Sequence, residues 1–253
     1  MTPSAGRSLT LAALAVSMAA CATASPSPAP RPSAPTAATA ALSGALRWMS
    51  NSAEYRAITT QTYALAARRL EELAPAVQAG SWGVILDADE TVLDNGVYER
   101  RRTMLDSAYT DSSWNDWVRE RAAVPVPGAV AFTQRVHALG GRVVIVTDRT
   151  EPLCDATRDN LRAVGIVPDL VLCKTTAPAD SDKNARFARV QNGTASPGLP
   201  ALSVLEWIGD NIKDFPGFTQ RARNDPTALA LFGRRYFALP NPVYGSWTDN
   251  TGS

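Results

Sequence analysis

The chain has 253 residues, with 25 Lys and Arg, 24 Asp and Glu, and a single His. That length accommodates one large domain or two small ones, and 45% hydrophobic against 19% charged residues exclude a chain that is disordered throughout. A net charge of +1 argues against binding a nucleic-acid polymer, which needs a basic face. One His argues against most His-ligated metal sites and Ser-His or Cys-His enzymes. Three Cys without a CxxC spacing exclude a zinc ribbon or a disulfide-dense scaffold.

Arg7 precedes an apolar run from Leu9 to Ala20 that ends in Met18-Ala19-Ala20-Cys21. A positive start, about a dozen apolar residues and a small-residue exit describe an export signal over residues 1–21. The run is shorter than the roughly 20 residues of a permanent membrane span. Met-Ala-Ala-Cys resembles the lipobox of bacterial lipoproteins, which implies acylation of Cys21 and a lipid anchor in the cell envelope, at the outer membrane or periplasmic face. Cleavage after Ala22-Thr23-Ala24, giving a soluble periplasmic or secreted protein, stays open. Residues 22–41 are mostly Pro, Ala, Ser and Thr, which bury too little apolar surface to order themselves and read as a disordered linker. In an exported protein Cys154 and Cys173 can bridge or serve as small buried hydrophobes, and spacing alone does not choose between them.

From residue 42 onward helical and extended patterns alternate. Apolar spacing predicts helix over Leu42 to Leu73. Trp82 to Asp87 and Arg142 to Thr147 read as buried strands, separated by a helix from Pro127 to Leu139 that stops at Gly140-Gly141. A helix from Pro152 to Val164 is closed by Gly165. Leu170 to Cys173, Val204 to Ile208 and Arg235 to Leu239 are further strands, with a helix near Asp182 to Gln191. This order predicts a single α/β domain over residues 42–253, a doubly wound parallel sheet with helices on both faces. Residues 96–126, containing Trp114 and Trp117, interrupt the alternation as one or two helices and predict a small helical cap inserted after the first strand.

The chemistry falls where strands end, which is where ligands bind in such sheets. Asp87-Ala-Asp89-Glu-Thr-Val-Leu-Asp94 follows the first strand. Carboxylates this close repel unless a cation intervenes, and oxygen ligands without His or Cys suit a hard ion such as Mg²⁺. An EF-hand loop beginning at Asp87 fails, because Val92 and Tyr98 stand where Gly and Glu are needed. The second strand ends in Thr147-Asp148-Arg149, Lys183 follows the third, and the fourth ends in Gly209-Asp210-Asn211-Ile-Lys-Asp214. Only three Lys occur in the chain, so Lys183 carries weight.

Asp87-x-Asp89, Thr147, Lys183 and Gly209-Asp210-Asn211-x-x-Asp214, with Trp114-Asn-Asp-Trp117, Pro127-Gly-Ala-Val130, Lys183-Asn-Ala-Arg186-Phe187 and Leu239-Pro-Asn-Pro-Val-Tyr244-Gly-Ser-Trp247, resemble the class C bacterial acid phosphatases of the haloacid dehalogenase (HAD) superfamily, exported lipoproteins that also act as nucleotidases. The resemblance runs from about residue 42 to Trp247. It implies a Mg²⁺-dependent acid phosphatase with Asp87 as nucleophile and Asp89 as general acid and base. The ion is then held by Asp87, the main-chain carbonyl of Asp89 and Asp210, with Asp214 supporting that shell. Thr147 and Lys183 bind the phosphoryl oxygens. Trp114 and Tyr244 resemble the family's aromatic pair that sandwiches a base, which implies a broad 5′-nucleotidase; both rings serving as core or interface residues is the alternative.

Ala88, Asp148 and Lys213 depart from the family's usual residues. Asp148 adds a negative charge that Arg149 is placed to neutralise. His137 reads as a surface or helix-end residue. The partners expected are a small phosphomonoester and a membrane through the lipid anchor, with a homodimer left open. A binding or storage lipoprotein that keeps the fold without turnover is the competing expectation.

Overall fold

A computed structural model describes residues 41–250. The expected signal peptide, Cys21 and all but the last residue of the linker lie outside the described residues. The expected first helix is two helices, α1 (Gly44–Asn51) and α2 (Ala53–Leu73). Ser52 divides them: its backbone is extended and its hydroxyl accepts from the Tyr55 N–H at 3.0 Å, an N-cap that outweighs continuing the helix through it.

Five parallel strands follow, in the spatial order β5-β4-β1-β6-β7. They are β1 (Trp82–Leu86), β4 (Arg142–Thr150), β5 (Leu170–Lys174), β6 (Ser203–Gly209) and β7 (Tyr236–Ala238). Between β1 and β4 the chain runs through β2 (Leu93–Asp94), α3 (Gly96–Met104), α4 (Asp111–Glu120), β3 (Val124–Pro125) and α5 (Ala129–Ala138). After β4 come α6 (Cys154–Ala163), α7 (Asn184–Asn192), which follows β5, and the short α8 (Pro226–Leu229), which precedes β7.

The pleat sends alternate residues of each strand to opposite faces, and two apolar clusters result. Val84, Leu86, Val143, Ile145 and Ile208 pack with Tyr63 and Leu70 of α2, Phe132 and Val136 of α5 and Leu161 of α6. Ile85, Val144, Val146 and Trp207 face the other way, against Phe187 and Val190 of α7. The sheet is therefore covered on both sides, as its continuous apolar strands require. Cys154 opens α6 and Cys173 lies in β5, and the two form a disulfide with their Cα atoms 5.9 Å apart.

The segment between β1 and α5 contains two helices, α3 and α4. Its ends are drawn together by β2 and β3, which pair antiparallel through Leu93 with Pro125 and Asp94 with Val124. Among the described residues no helix is long and apolar enough to cross a membrane.

Candidate active site

The strand ends converge. Asp87 directly follows β1 and its N–H donates to the Ile208 carbonyl of β6 at 3.1 Å. The carboxylates of Asp87, Asp210 and Asp214 each place an oxygen within 4.8 Å of the others. Lys183, at the N-cap of α7, reaches into this group and donates to Asp87 Oδ1 at 2.5 Å and Asp214 Oδ1 at 2.6 Å. Its side chain is only 6% exposed.

Asp214 gets this close because Gly209 has no side chain: a Cβ there would lie 2.3 Å from the Asp214 Cβ. The turn is locked reciprocally. The Asn211 N–H donates to Asp214 Oδ2 at 2.9 Å, and Asn211 Oδ1 accepts from the Lys213 N–H at 3.1 Å. Asp210 is held on both oxygens, by the Thr91 hydroxyl at 3.1 Å and by Asn241 Nδ2 at 2.9 Å. Thr91 is in turn anchored by Tyr63 of α2, whose hydroxyl donates to its carbonyl at 2.7 Å.

Electrostatics follow from burial. Desolvation pushes the Asp87 carboxyl well above the usual range, Lys183 pulls it back, and Asp214 and Asp210 push it up again. Desolvation, then Asp214, raises Asp210 to about 7. Burial disfavours the charged form of Lys183, but Asp214 and Asp87 more than offset this and its ammonium is held above the ordinary lysine range. Were all three carboxyls ionised, one ammonium would leave two negative charges in a desolvated site. An all-oxygen donor set with that charge suits a hard divalent cation.

Asp89 takes a different direction. Its carboxylate accepts from Arg149 Nη2 at 2.7 Å and Nε at 3.0 Å, and from Asn95 Nδ2 at 2.9 Å. Asn95 is buried, and its own Oδ1 accepts from Trp117 Nε1 at 2.8 Å. The acidic loop is shaped by Glu90, which has φ +51° and whose carboxylate accepts from the Asn95 N–H at 2.9 Å.

The expectation that Arg149 neutralises Asp148 is corrected. Asp148 pairs with Arg186 of α7 at 2.5 Å, and Arg149 pairs with Asp89. Consecutive residues of β4 point to opposite sides, so one partner cannot serve both duties. Arg186 is fully buried and also donates to the Thr147 carbonyl.

A cavity of about 490 Å³ opens over this group. Asp87, Asp89, Lys183, Asp210 and Asp214 line it, with Trp114 of α4 and Tyr244 of the tail. Thr147 is buried one residue from lining Asp148 and does not line the cavity itself; its hydroxyl accepts from the Arg149 N–H at 3.1 Å. Glu99 and Tyr109 of the inserted segment line the wall too, and no sequence pattern pointed to them. Thr91, Asn95 and Asn241 were legible only as neighbours of motif residues. His137 sits in the last turn of α5, 3.0 Å from Asp169 and outside the cavity.

A parallel α/β sheet with a helical insertion after its first strand, and acidic groups faced by a lysine where the strands end, defines a HAD-type fold and site. The chain belongs to the HAD superfamily, subfamily IIIB (acid phosphatase), which it matches over residues 9–247. It is similar to the class C acid phosphatase from Bacillus anthracis, with 25% identity and a TM-score of 0.71 over 83% of this chain and 89% of that one. The tungstate-bound structure of the class C acid phosphatase from Bacillus anthracis gives 25% identity and a TM-score of 0.70 over 80% of this chain and 84% of that one. A curated relative, vegetative storage protein 1 of Arabidopsis thaliana, is 23% identical over 163 residues, 63% of this chain and 54% of that protein. The chain thus spans about half the length of that relative.

Proposed function

We propose that the protein is an exported, Mg²⁺-dependent acid phosphatase that hydrolyses phosphomonoesters, nucleoside 5′-monophosphates above all, through a phosphoaspartate. The observation that carries this reading is the convergence of Asp87, Asp210 and Asp214 around Lys183 at the floor of one cavity. The tungstate complex of the Bacillus anthracis enzyme supports it, since tungstate is an oxyanion.

In this reading an oxygen of Asp87 attacks phosphorus and the ester P–O bond breaks. Asp89 gives its proton to the departing oxygen. Asp89, now a carboxylate, takes a proton from water; that water oxygen attacks phosphorus, the bond to Asp87 breaks, and inorganic phosphate leaves. Lys183 contacts the phosphoryl oxygens and offsets their charge, while Thr147, expected beside it, is buried outside the cavity and holds the Arg149 N–H instead. Asp87, Asp210 and the Asp89 carbonyl hold Mg²⁺, backed by Asp214, and the ion supplies the remaining positive charge. Trp114 and Tyr244 give a nucleobase two faces to stack on, an interaction worth roughly 1–3 kcal/mol per base and tolerant of base identity. Export and a lipid anchor at Cys21 complete the reading, with a small phosphomonoester as substrate and no nucleic-acid polymer.

The test is phosphate release from nucleoside 5′-monophosphates and p-nitrophenyl phosphate, with and without Mg²⁺, by wild type and Asp87→Asn. Metal-dependent turnover by wild type, abolished in the variant, is expected. No turnover on any phosphomonoester would favour the second reading, a binding or storage protein, which the similarity to vegetative storage protein 1 brings forward. Retention of Asp87, Asp89, Lys183, Asp210 and Asp214 in one cavity counts against that alternative.

A further inference from the structure

Arg149 is a buried cation with no place in the chemistry above. Its side chain is 1% exposed. Nε and Nη2 both donate to Asp89 Oδ1, at 3.0 and 2.7 Å, and Nε lies 3.2 Å from Oδ2. Nη2 also reaches Asn95 Oδ1 and Nη1 the Thr157 hydroxyl, each at 3.3 Å. Its Cζ lies 5.6 Å from the centroid of the Trp114 ring. Asp148 is paired with Arg186, so this guanidinium is not spent on its sequence neighbour.

We propose that Arg149 is a positioning residue that ties protonation of the leaving group to its binding: one guanidinium sets the side-chain direction of Asp89 and backs the ring of Trp114. The inference rests on the reading of Asp89 as proton donor and Trp114 as stacking platform.

An aspartate side chain in an open cavity has several staggered orientations. A planar fork donating to it, with Asn95 Nδ2 donating to the same oxygen, leaves one. Thr157 on α6 grips the far side of the guanidinium, so its position does not depend on substrate. The face of Trp114 meets the same cation. One fixed cation therefore sets both the ring's backing and the direction of Asp89, and a misplacement of about 1 Å at a reacting centre can cost on the order of 10²-fold in rate. A lysine ammonium at this position keeps the charge but not the fork.

The test compares Arg149→Met, Arg149→Lys and Thr157→Val in the full chain on three substrates. A nucleoside 5′-monophosphate and β-glycerophosphate have alkoxide leaving groups that need a proton. p-Nitrophenyl phosphate has a leaving group that departs without one. Arg149→Met is expected to lower kcat on both alkyl esters by about 10²-fold and on p-nitrophenyl phosphate by less than about 10-fold, and to raise KM for the nucleotide alone. Arg149→Lys is expected to recover part of the loss. Thr157→Val, which keeps the guanidinium, is expected to shift the same ratios in the same direction by less, so the inference stays testable if Arg149→Met does not fold. Equal losses on all three substrates in the folded variants would overturn the positioning role. No turnover of any substrate by wild type would overturn the phosphatase reading and this inference with it.

Discussion

Lys183 donates to Asp214 at 2.6 Å, although the two stand 31 residues apart and on either side of β6. The same ammonium reaches Asp87, so one positive charge bridges two of the three clustered carboxylates. Removing one partner of a buried ion pair leaves uncompensated charge and costs about 3–5 kcal/mol. Lys183→Met is therefore expected to destabilise the metal-free protein strongly. A divalent cation should raise Tm more in the variant than in wild type, because it then offsets the whole excess. Thermal unfolding with EDTA and with Mg²⁺ measures both, and equal increments in the two proteins would contradict this charge balance.

Gly209 makes room for Asp214. A Cβ 2.3 Å from the Asp214 Cβ forces one of them to move. Gly209→Ala is expected to weaken divalent-cation affinity by about 10–100-fold, the usual loss when the support of a metal shell is disturbed. Isothermal titration calorimetry checks this; unchanged affinity would show that Asp214 does not need its present position.

Glu206 of β6 is fully buried, and neither carboxylate oxygen has a hydrogen-bond partner among the described residues. Burial raises its pKa to about 9, with Arg69 pulling the other way. The folded state thus holds a proton that the unfolded chain releases near its ordinary value of 4.5. Stability from this group is complete below pH 4.5 and declines as pH rises towards 9. Glu206→Gln removes the decline. The variant is expected to show a higher Tm than wild type at pH 8 and a smaller difference at pH 5; parallel Tm profiles across that range would mean that Glu206 is ionised in the fold.

The disulfide joins positions 19 residues apart, tying the start of α6 to β5. A loop of that size constrains the unfolded chain by about 3 kcal/mol in the chain-entropy treatment. The double variant Cys154→Ser, Cys173→Ser is expected to lose that much in chemical denaturation. The groups proposed for catalysis lie on other elements, so turnover below the unfolding transition should persist. An unchanged midpoint would mean that the bridge does not form in solution.

Much of this could be read from residue order. Apolar runs of strand length, such as Trp82–Leu86, must be buried on both faces, and their alternation with helical spacing leaves few arrangements besides a covered parallel sheet. Asp87, Asp89 and Asp210 were legible because they follow such runs directly, and strand ends in these sheets share one rim. Ser52 breaking the first helix was a local signal of comparable clarity that helical spacing outvoted.

Partner choice was not legible. Asp148 and Arg149 are neighbours in the chain, yet the pleat turns one to Arg186 and the other to Asp89. Cys154 and Cys173 bridge only because α6 and β5 bring their Cα atoms to 5.9 Å. Tyr109 and Glu99 reach the cavity because the inserted helices fold over it. Periodicity and strand ends are local properties of the chain, whereas which charge meets which depends on side-chain direction and on distances set by the packing of distant elements.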